Sequence, residues 1–442
     1  MPAPSVPAGR QDQRIKATHT RRLMLLMVFL ATLINYVDRT NLAVAAPLLT
    51  KELSLDEAQT GFLFSAFGWT YALCNMPGGY IVDRFGARAT YAFSLFFWSV
   101  ATGLQSFAGS FFGLFNLRLA VGAAEAPAFP ANNRVVTLWF PTRERGMASA
   151  SFTSGQYFGA GICTPFLFWI AANWGWRAIF LVTGTAGVLV SIGWWLVYRD
   201  PMNSRLANAQ EIREIAAGGA GIGERKQTPF RWQDVRKLLS YRQIWGLCIG
   251  KFSVNVAIFF LLTWFPSYLA HERGLSLIEV GGYAMAPYLA AAIGVLVGGA
   301  SSDLLLKRGV SQTVARKVPI VTGFLLTSTI FLANFTTSNL STISVLTCAF
   351  FFSGVSSNGW TVTSDIAPLK FVGLTGGIVN FAASLAGIVT PIAVGFIVQN
   401  THSYFWALAL VAVIPTVAGV FAYTVVLGKI ERIEMPGVEE SP

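Results

Sequence analysis

Long stretches of this chain carry no charged side chain, and that limits its fold more than any other property. Thr60–Val82 and Ala178–Tyr198 are each about one bilayer crossing long. Ala89–Leu117 and Gly146–Trp176 are longer, and Val318–Ser364 and Phe371–Gly428 have room for two crossings each. A hydrocarbon core of about 30 Å takes ~20 residues of helix. Lipid offers no hydrogen-bond partner, so a spanning segment has to close its own backbone bonds, which selects helices over open strands. Apolar segments interrupted by charges near residues 23–49, 111–133, 243–270 and 280–302 bring the total to twelve. The expected fold is therefore an all-α membrane protein, with twelve transmembrane helices in two six-helix bundles. Composition agrees: 54% of residues are hydrophobic and 12% charged, against about 25% charged in soluble domains.

Basic residues set the expected orientation. Five precede the first span (Arg10, Arg14, Lys16, Arg21, Arg22) and nine lie in 199–242. The loops after helices 2, 4, 8 and 10 hold Arg84, Arg88, Arg134, Arg143, Arg145, Lys307, Arg308, Arg316, Lys317 and Lys370; Lys429 and Arg432 follow the last span. The opposite loops hold only Lys51, Arg177 and Arg273. Both termini and the central segment are thus expected on the cytoplasmic side of a plasma membrane, the inner membrane in a bacterium. The expected division is a tail at 1–22, a first bundle at 23–198, a linker at 199–242, a second bundle at 243–428 and a tail at 429–442. The linker, with Pro201, Pro229 and Gly218-Gly219, reads as solvated with some amphipathic helix. The net charge of +11 is a topology signal. The bases are spread over many short loops, which argues against a nucleic-acid partner. No signal peptide is expected, because the first apolar run is too long and no small-residue cleavage site follows it. Cys74, Cys163, Cys248 and Cys348 fall in expected spans without a CxxC pair, so neither a metal nor a disulfide is implied.

Four ionisable residues stand out because they fall inside apolar segments. Asp38 and Arg39 interrupt Leu23–Leu49, and Arg118 and Glu125 interrupt Phe111–Asn133. A charge in a membrane span is costly and marks a substrate or ion pathway by default. Arg39 stays charged and offers a planar fork for a carboxylate. Arg118 and Glu125, seven residues apart, share a helical face about 10 Å long. Glu125 reads as a proton-carrying carboxyl that Arg118 modulates by approaching it, and Asp38 as the second proton site. Structural ion pairs are the plainer reading of the same residues. Polar side chains suited to lining a cavity for a hydroxylated ligand are Tyr36, Asn41, Tyr71, Gln156, Trp360 and Asn380. Lys251, about two turns into helix 7, either snorkels to the interface or adds a cation to the cavity.

The two halves echo each other. Gly78-Gly79 followed by Asp83 recurs as Gly298-Gly299 followed by Asp303, and Thr164-Pro165 as Thr390-Pro391. Two related bundles around a midplane site is a plan of secondary transporters. The run Gly79-Tyr-Ile-Val-Asp83-Arg84-Phe-Gly86-Ala-Arg88 fits GxxxDRxGxR between helices 2 and 3. It resembles the loop signature of the major facilitator superfamily and reads as a gate. Gly79 and Gly86 would allow tight turning and close helix approach, while Asp83, and Asp303 in the echo, would hold basic groups or a helix end. Asn35-Tyr-Val-Asp38-Arg39-Thr-Asn-Leu-Ala and Ala124-Glu-Ala-Pro-Ala-Phe-Pro-Ala-Asn-Asn-Arg134 narrow the resemblance to the anion:cation symporter family, which includes bacterial D-galactonate, glucarate and hexuronate carriers. Phe64–Tyr71, Thr153–Gln156, Leu262–Pro266 and Leu374–Phe381 extend it over nearly all of residues 22–430. Two positions depart from galactonate carriers: Lys251 stands where they have Gln, and Asp365 where they have Ser.

The resemblance implies a proton-coupled symporter that imports a sugar-acid anion by alternating access. Arg39 would be its substrate arginine, protons its coupling ion with no other cofactor, and a small carboxylate and the bilayer its partners, with one chain working alone. An exchanger of organic anions or phosphate esters is the alternative, but it needs no proton carrier such as Glu125 or Asp38. An ATP-driven pump would need a GxxxxGK[ST] run, and an embedded enzyme a nucleophile–base pair or an HExxH-type ligand set. Neither appears in the sequence.

Overall fold

A computed structural model describes residues 17–141, 143–220, 232–368 and 371–434. Of the basic residues that set the orientation, Arg10, Arg14, Lys16, Arg225, Lys226, Arg231 and Lys370 lie outside the described residues, as do Pro229 and the tail beyond 434.

Among the described residues the regular structure is entirely helical. Helix α1 is Thr20–Glu52. The helical run Glu57–Leu104 contains Gly86 at φ 79°, ψ 161°. That left-handed residue divides it into α2 (57–85) and α3 (87–104). Thr90 Oγ1 donates to the Ile81 carbonyl at 3.3 Å. In a straight helix nine residues rise about 13.5 Å, so the chain has folded back at Gly86. Helix α4 is Phe111–Glu125 continued by Ala128–Trp139. Helix α5 is 145–174 with a π turn at Phe158–Ile162, and Gly175 (φ 78°) separates it from α6, 176–197.

The second bundle begins with α7, Arg242–Thr263, extended by short turns to Glu272. Helix α8 is Leu277–Lys307, and α9 is Gln312–Thr327 with a 3-10 extension to Phe335. Helix α10 is Asn339–Ser356 with Gly359–Ile366, α11 is Val372–Thr401, and α12 runs from Phe405 to Val426. The halves share local signals as well as order. Reciprocal caps open α2 (Asp56 with Gln59) and α8 (Ser276 with Glu279), each satisfying N–H groups that a helix start leaves free.

The linker does more than the sequence suggests. Its helix Ala209–Ala217 buries Glu211 and Ile215 completely. The Glu211 carboxylate accepts the backbone N–H groups of Thr20 and Arg21 at 3.1 and 3.0 Å. It thereby supplies a negative charge at the start of α1, where the helix dipole favours one. Arg145 donates to the Gly219 carbonyl at 3.0 Å. This part of the linker is docked on the first bundle instead of being solvated.

Burial divides the molecule unevenly. At the end away from the termini one apolar core runs through both bundles, joining Leu49, Leu63, Phe64, Phe168 and Trp176 to Phe260, Trp264, Tyr268, Tyr288 and Val394. At the terminal end there are two cores. One is built from Met24, Val28, Tyr91, Trp98, Trp139 and Trp194, the other from Leu238, Ile244, Phe324, Ile366 and Tyr423. The bundles are therefore fused at one end and parted at the other. The fused end is apolar and close: Phe64 meets Trp264 and Phe62 meets Phe396 edge-on, with centroids 5.3 and 5.9 Å apart. A Cβ on Gly61 would lie 3.3 Å from Gly395 Cα, so the absence of a side chain there permits the contact.

Cysteines at Phe62 and Phe396, in a chain whose four native cysteines are Ser, can be joined by a short cleavable thiol cross-linker. The expected outcome is full arrest of solute flux, restored when the linker is cleaved. Undiminished flux in fully cross-linked protein would show that the bundles need not part at this end.

Candidate functional site

The four buried ionisable residues meet, but with exchanged partners. Arg39 donates from Nε to Glu125 Oε1 at 2.8 Å, and its Nη2 lies 2.6 Å from the same oxygen. Arg118 instead donates from Nη1 to the backbone carbonyl of Asp38 at 3.3 Å. In this conformation Glu125 is held by Arg39 of α1 and not by Arg118 on its own helical face. Asp38 and Arg39 are neighbours in a helix and so point about 100° apart. Arg39 turns toward α4, while the fully buried Asp38 turns toward α3. There the Asp38 carboxylate accepts Trp98 Nε1–H at 3.1 Å and the Asn41 amide at 3.4 Å.

Aromatic rings line the arginine site. The Arg39 guanidinium carbon is 4.9, 4.9 and 4.8 Å from the ring centroids of Tyr36, Phe67 and Tyr71, and that of Arg118 is 5.6 Å from Phe67. Ring faces stabilise a guanidinium within about 6 Å and still leave its edge for hydrogen bonds. Tyr36 and Tyr71, two of the side chains expected to line a cavity, therefore stand beside Arg39. Asn41 is not a wall residue. It is fully buried and bonded to Asp38 and to Thr183 Oγ1, the latter at 3.3 Å. Gln156 lies half-buried in α5 just before its π turn, and Asn380 half-buried in α11. π turns of this kind frequently sit at functional sites. Lys251 Nζ stands 5.3 Å from the Trp360 centroid, and Trp360 is 45% exposed.

The loop residues form a separate group at the terminal end. Asp83 pairs with Arg134 of α4 at 3.3 Å. Arg84 donates to the Tyr80 hydroxyl, and Arg88 to the Trp195 carbonyl over its ring. In the second bundle Arg316 bridges Asp303 at 3.0 Å and Asp365 at 3.1 Å. Asp365 is thus committed to Arg316. Gly86 makes the turn as expected, but Gly79 does not mediate a close approach: a Cβ there meets nothing within 4 Å. Gly78 does so instead, against Ala126 and Pro127 of α4. Neighbouring helix positions face different ways, and it is Gly78 that faces α4.

Three participants escaped the sequence. Trp98 and Thr183 lie in uncharged runs and look like ordinary core. Phe67 belongs to a matched run, yet nothing in the sequence marks it as the ring shared by Arg39 and Arg118.

This architecture, two helical bundles fused at one end with an ionisable site among the helices of one of them, defines a multi-pass membrane carrier. The chain belongs to the Major Facilitator Superfamily, whose sequence pattern matches residues 28–391. It is 41% identical over 437 residues to the probable galactarate/D-glucarate transporter GarP of Escherichia coli (strain K12), covering 96% of this chain and 98% of that one. It is 39% identical over 424 residues to the D-galactonate transporter of Escherichia coli O6:H1, covering 95% and 98%. In fold it matches a bacterial homolog to the human lysosomal transporter Spinster, in an inward-facing and unoccupied conformation, with a TM-score of 0.71 at 20% identity over 93% and 95% of the two chains. Its relatives are transporters, and this chain is a transporter rather than an enzyme.

Removing one member of a buried ion pair leaves an uncompensated charge at a cost of about 3–5 kcal/mol, whereas removing both can be nearly neutral. Thermal unfolding in detergent should accordingly show Arg39→Gln strongly destabilised and Arg39→Gln/Glu125→Gln largely recovered. Additive losses in the double variant would mean that the two side chains do not depend on each other.

Proposed function

We propose that the chain is a proton-coupled symporter that imports a sugar-acid anion (an aldonate, aldarate or hexuronate) across the bacterial inner membrane by alternating access, with the termini and the parted end cytoplasmic. The observation that carries this reading is the Arg39–Glu125 pair. An internal carboxylate already occupies the guanidinium fork that an anionic substrate would use. A proton on Glu125 removes its charge and frees Arg39 for the substrate carboxylate, which the fork can take bidentately. Proton and anion therefore bind together by competition for one cation. The Tyr36, Phe67 and Tyr71 rings hold the guanidinium in place during the exchange.

Asp38 is the proposed second proton site. Its carboxylate is fully buried and bonded to the neutral donors Trp98 and Asn41. Arg118 is bonded to the Asp38 backbone carbonyl, so movement of α4 is felt directly at the Asp38 turn of α1. The conformation with Glu125 on Arg39 corresponds to an empty, deprotonated carrier open to the cytoplasm. There the departing proton returns the carboxylate to Arg39 and drives the substrate off. Asp83, Arg84, Gly86 and Arg88, with Asp303 and Arg316 in the echo, would serve the closure of that side. The names of the relatives, galactarate/D-glucarate and D-galactonate transporters, support a sugar acid as the cargo.

Uptake into proteoliposomes, with and without an imposed pH gradient, tests the coupling. Glu125→Gln should abolish accumulation driven by the gradient while leaving counterflow exchange. Gradient-driven accumulation by that variant would remove Glu125 from the coupling step. Arg39→Lys keeps the charge but loses the fork. Charge-assisted bonds contribute about 1.5–3 kcal/mol, so its apparent affinity should fall about tenfold or more. An unchanged KM would take Arg39 out of the binding site.

A further inference from the structure

We propose that Lys251 is a second carboxylate grip, on the opposite wall of the cavity from Arg39, and that it makes the carrier selective for dicarboxylates over monocarboxylates. The inference deepens the sugar-acid reading and rests on it.

Lys251 lies nine residues after the start of α7 at Arg242, about 13 Å along the helix. Gly246 and Gly250 press α7 against Leu427, just past the end of α12, and Tyr423 of α12. Lys251 is the next position round the helix and points off that contact, toward α10. Its ammonium stands over Trp360, itself flanked by α11, where a Cβ on Gly376 would lie 3.5 Å from the indole. A snorkelling lysine extends to the interface and solvates its ammonium there. Here the ammonium is over a ring six residues short of the end of α10 at Ile366. Trp360 keeps 45% exposure despite neighbours on both sides. Trp360 belongs to the bundle whose terminal-end core is separate from that of the first.

The charge on Lys251 has no counter-ion among the described residues. Two acids of this bundle, Asp303 and Asp365, are both held by Arg316, at 3.0 and 3.1 Å. A ring face offsets only part of the cost of an unpaired buried cation. In the first bundle Arg39 has Glu125; in the second, Lys251 has nothing equivalent. When the cavity closes around a monocarboxylate with Glu125 protonated, Arg39 is paired and Lys251 is left without a partner. A dicarboxylate pairs with both cations, neutralises the two walls and draws the bundles together. The second carboxylate thus contributes to closure as well as to binding.

Galactarate and D-galactonate share a six-carbon hydroxylated chain and differ at one end, where the first has a carboxylate and the second a hydroxymethyl group. The experiment measures the KM of each for proton-driven uptake by wild type, Lys251→Gln and Lys251→Arg. One charge-assisted pair predicts a wild-type preference for galactarate of about tenfold to a hundredfold. Lys251→Gln should bring that ratio toward one by raising the galactarate KM, and Lys251→Arg should keep a clear preference for the diacid. A ratio unchanged in Lys251→Gln, or a wild type that prefers the monoacid, overturns the inference while leaving sugar-acid transport intact. Loss of both substrates in Lys251→Gln and Lys251→Arg alike also overturns it, since the lysine is then structural. Failure of the underlying reading is told apart by wild type alone, which would carry neither of these acids nor a hexuronate.

Discussion

A guanidinium and a carboxylate facing each other in a low-dielectric interior constrain the rest of this molecule. Neither charge is tolerable there by itself, so the pair fixes α1 against α4 with a specificity that apolar packing alone would not provide. The surroundings serve the same requirement. Three rings cover the guanidinium, and Glu125 is fully buried. Yet the arrangement leaves a choice of anion. A fork holding one oxygen of its own glutamate can hold an external carboxylate as well. Under the proposed exchange the site is stable when empty and when loaded, and costly only in between, as a carrier that changes shape in just those two states requires.

The asymmetry of the apolar cores gives this choice its spatial consequence. At the fused end the bundles meet through rings and bare glycine backbone, as at Phe64–Trp264 and Gly61–Gly395. Such a surface releases without stranding a charge or an unpaired hydrogen bond, so separation costs mainly apolar area. At the terminal end the ion pairs lie within each bundle: Asp83 with Arg134, and Asp303 and Asp365 with Arg316. Each half can therefore move as a body with its own charges satisfied.

Much of the architecture was legible in the sequence because the bilayer imposes length and polarity directly on a chain. Uncharged runs gave the spans, and the recurrence of Gly-Gly and Asp gave the two halves. What stayed hidden depends on direction around a helix. Asp38 and Arg39 are adjacent in the chain but serve different helices, and Arg118 shares a face with Glu125 without being its partner. Gly78, one residue from the expected Gly79, makes the close contact for the same reason. Trp98 was invisible because an indole donor inside an apolar run carries no compositional mark. The docking of Glu211 on the start of α1 joins positions almost two hundred residues apart, and no local pattern announces such a contact.

The joint at Gly86 has a consequence for how the chain is made. A single left-handed residue separates two spans, and Thr90 is bonded back to Ile81 across it. With so little slack, α2 and α3 are held together as one hairpin. Arg84 and Arg88 flank that joint and resist being carried across. On the proposed orientation, this tight bend in the first bundle would also act as an anchor during synthesis, fixing which way the hairpin faces.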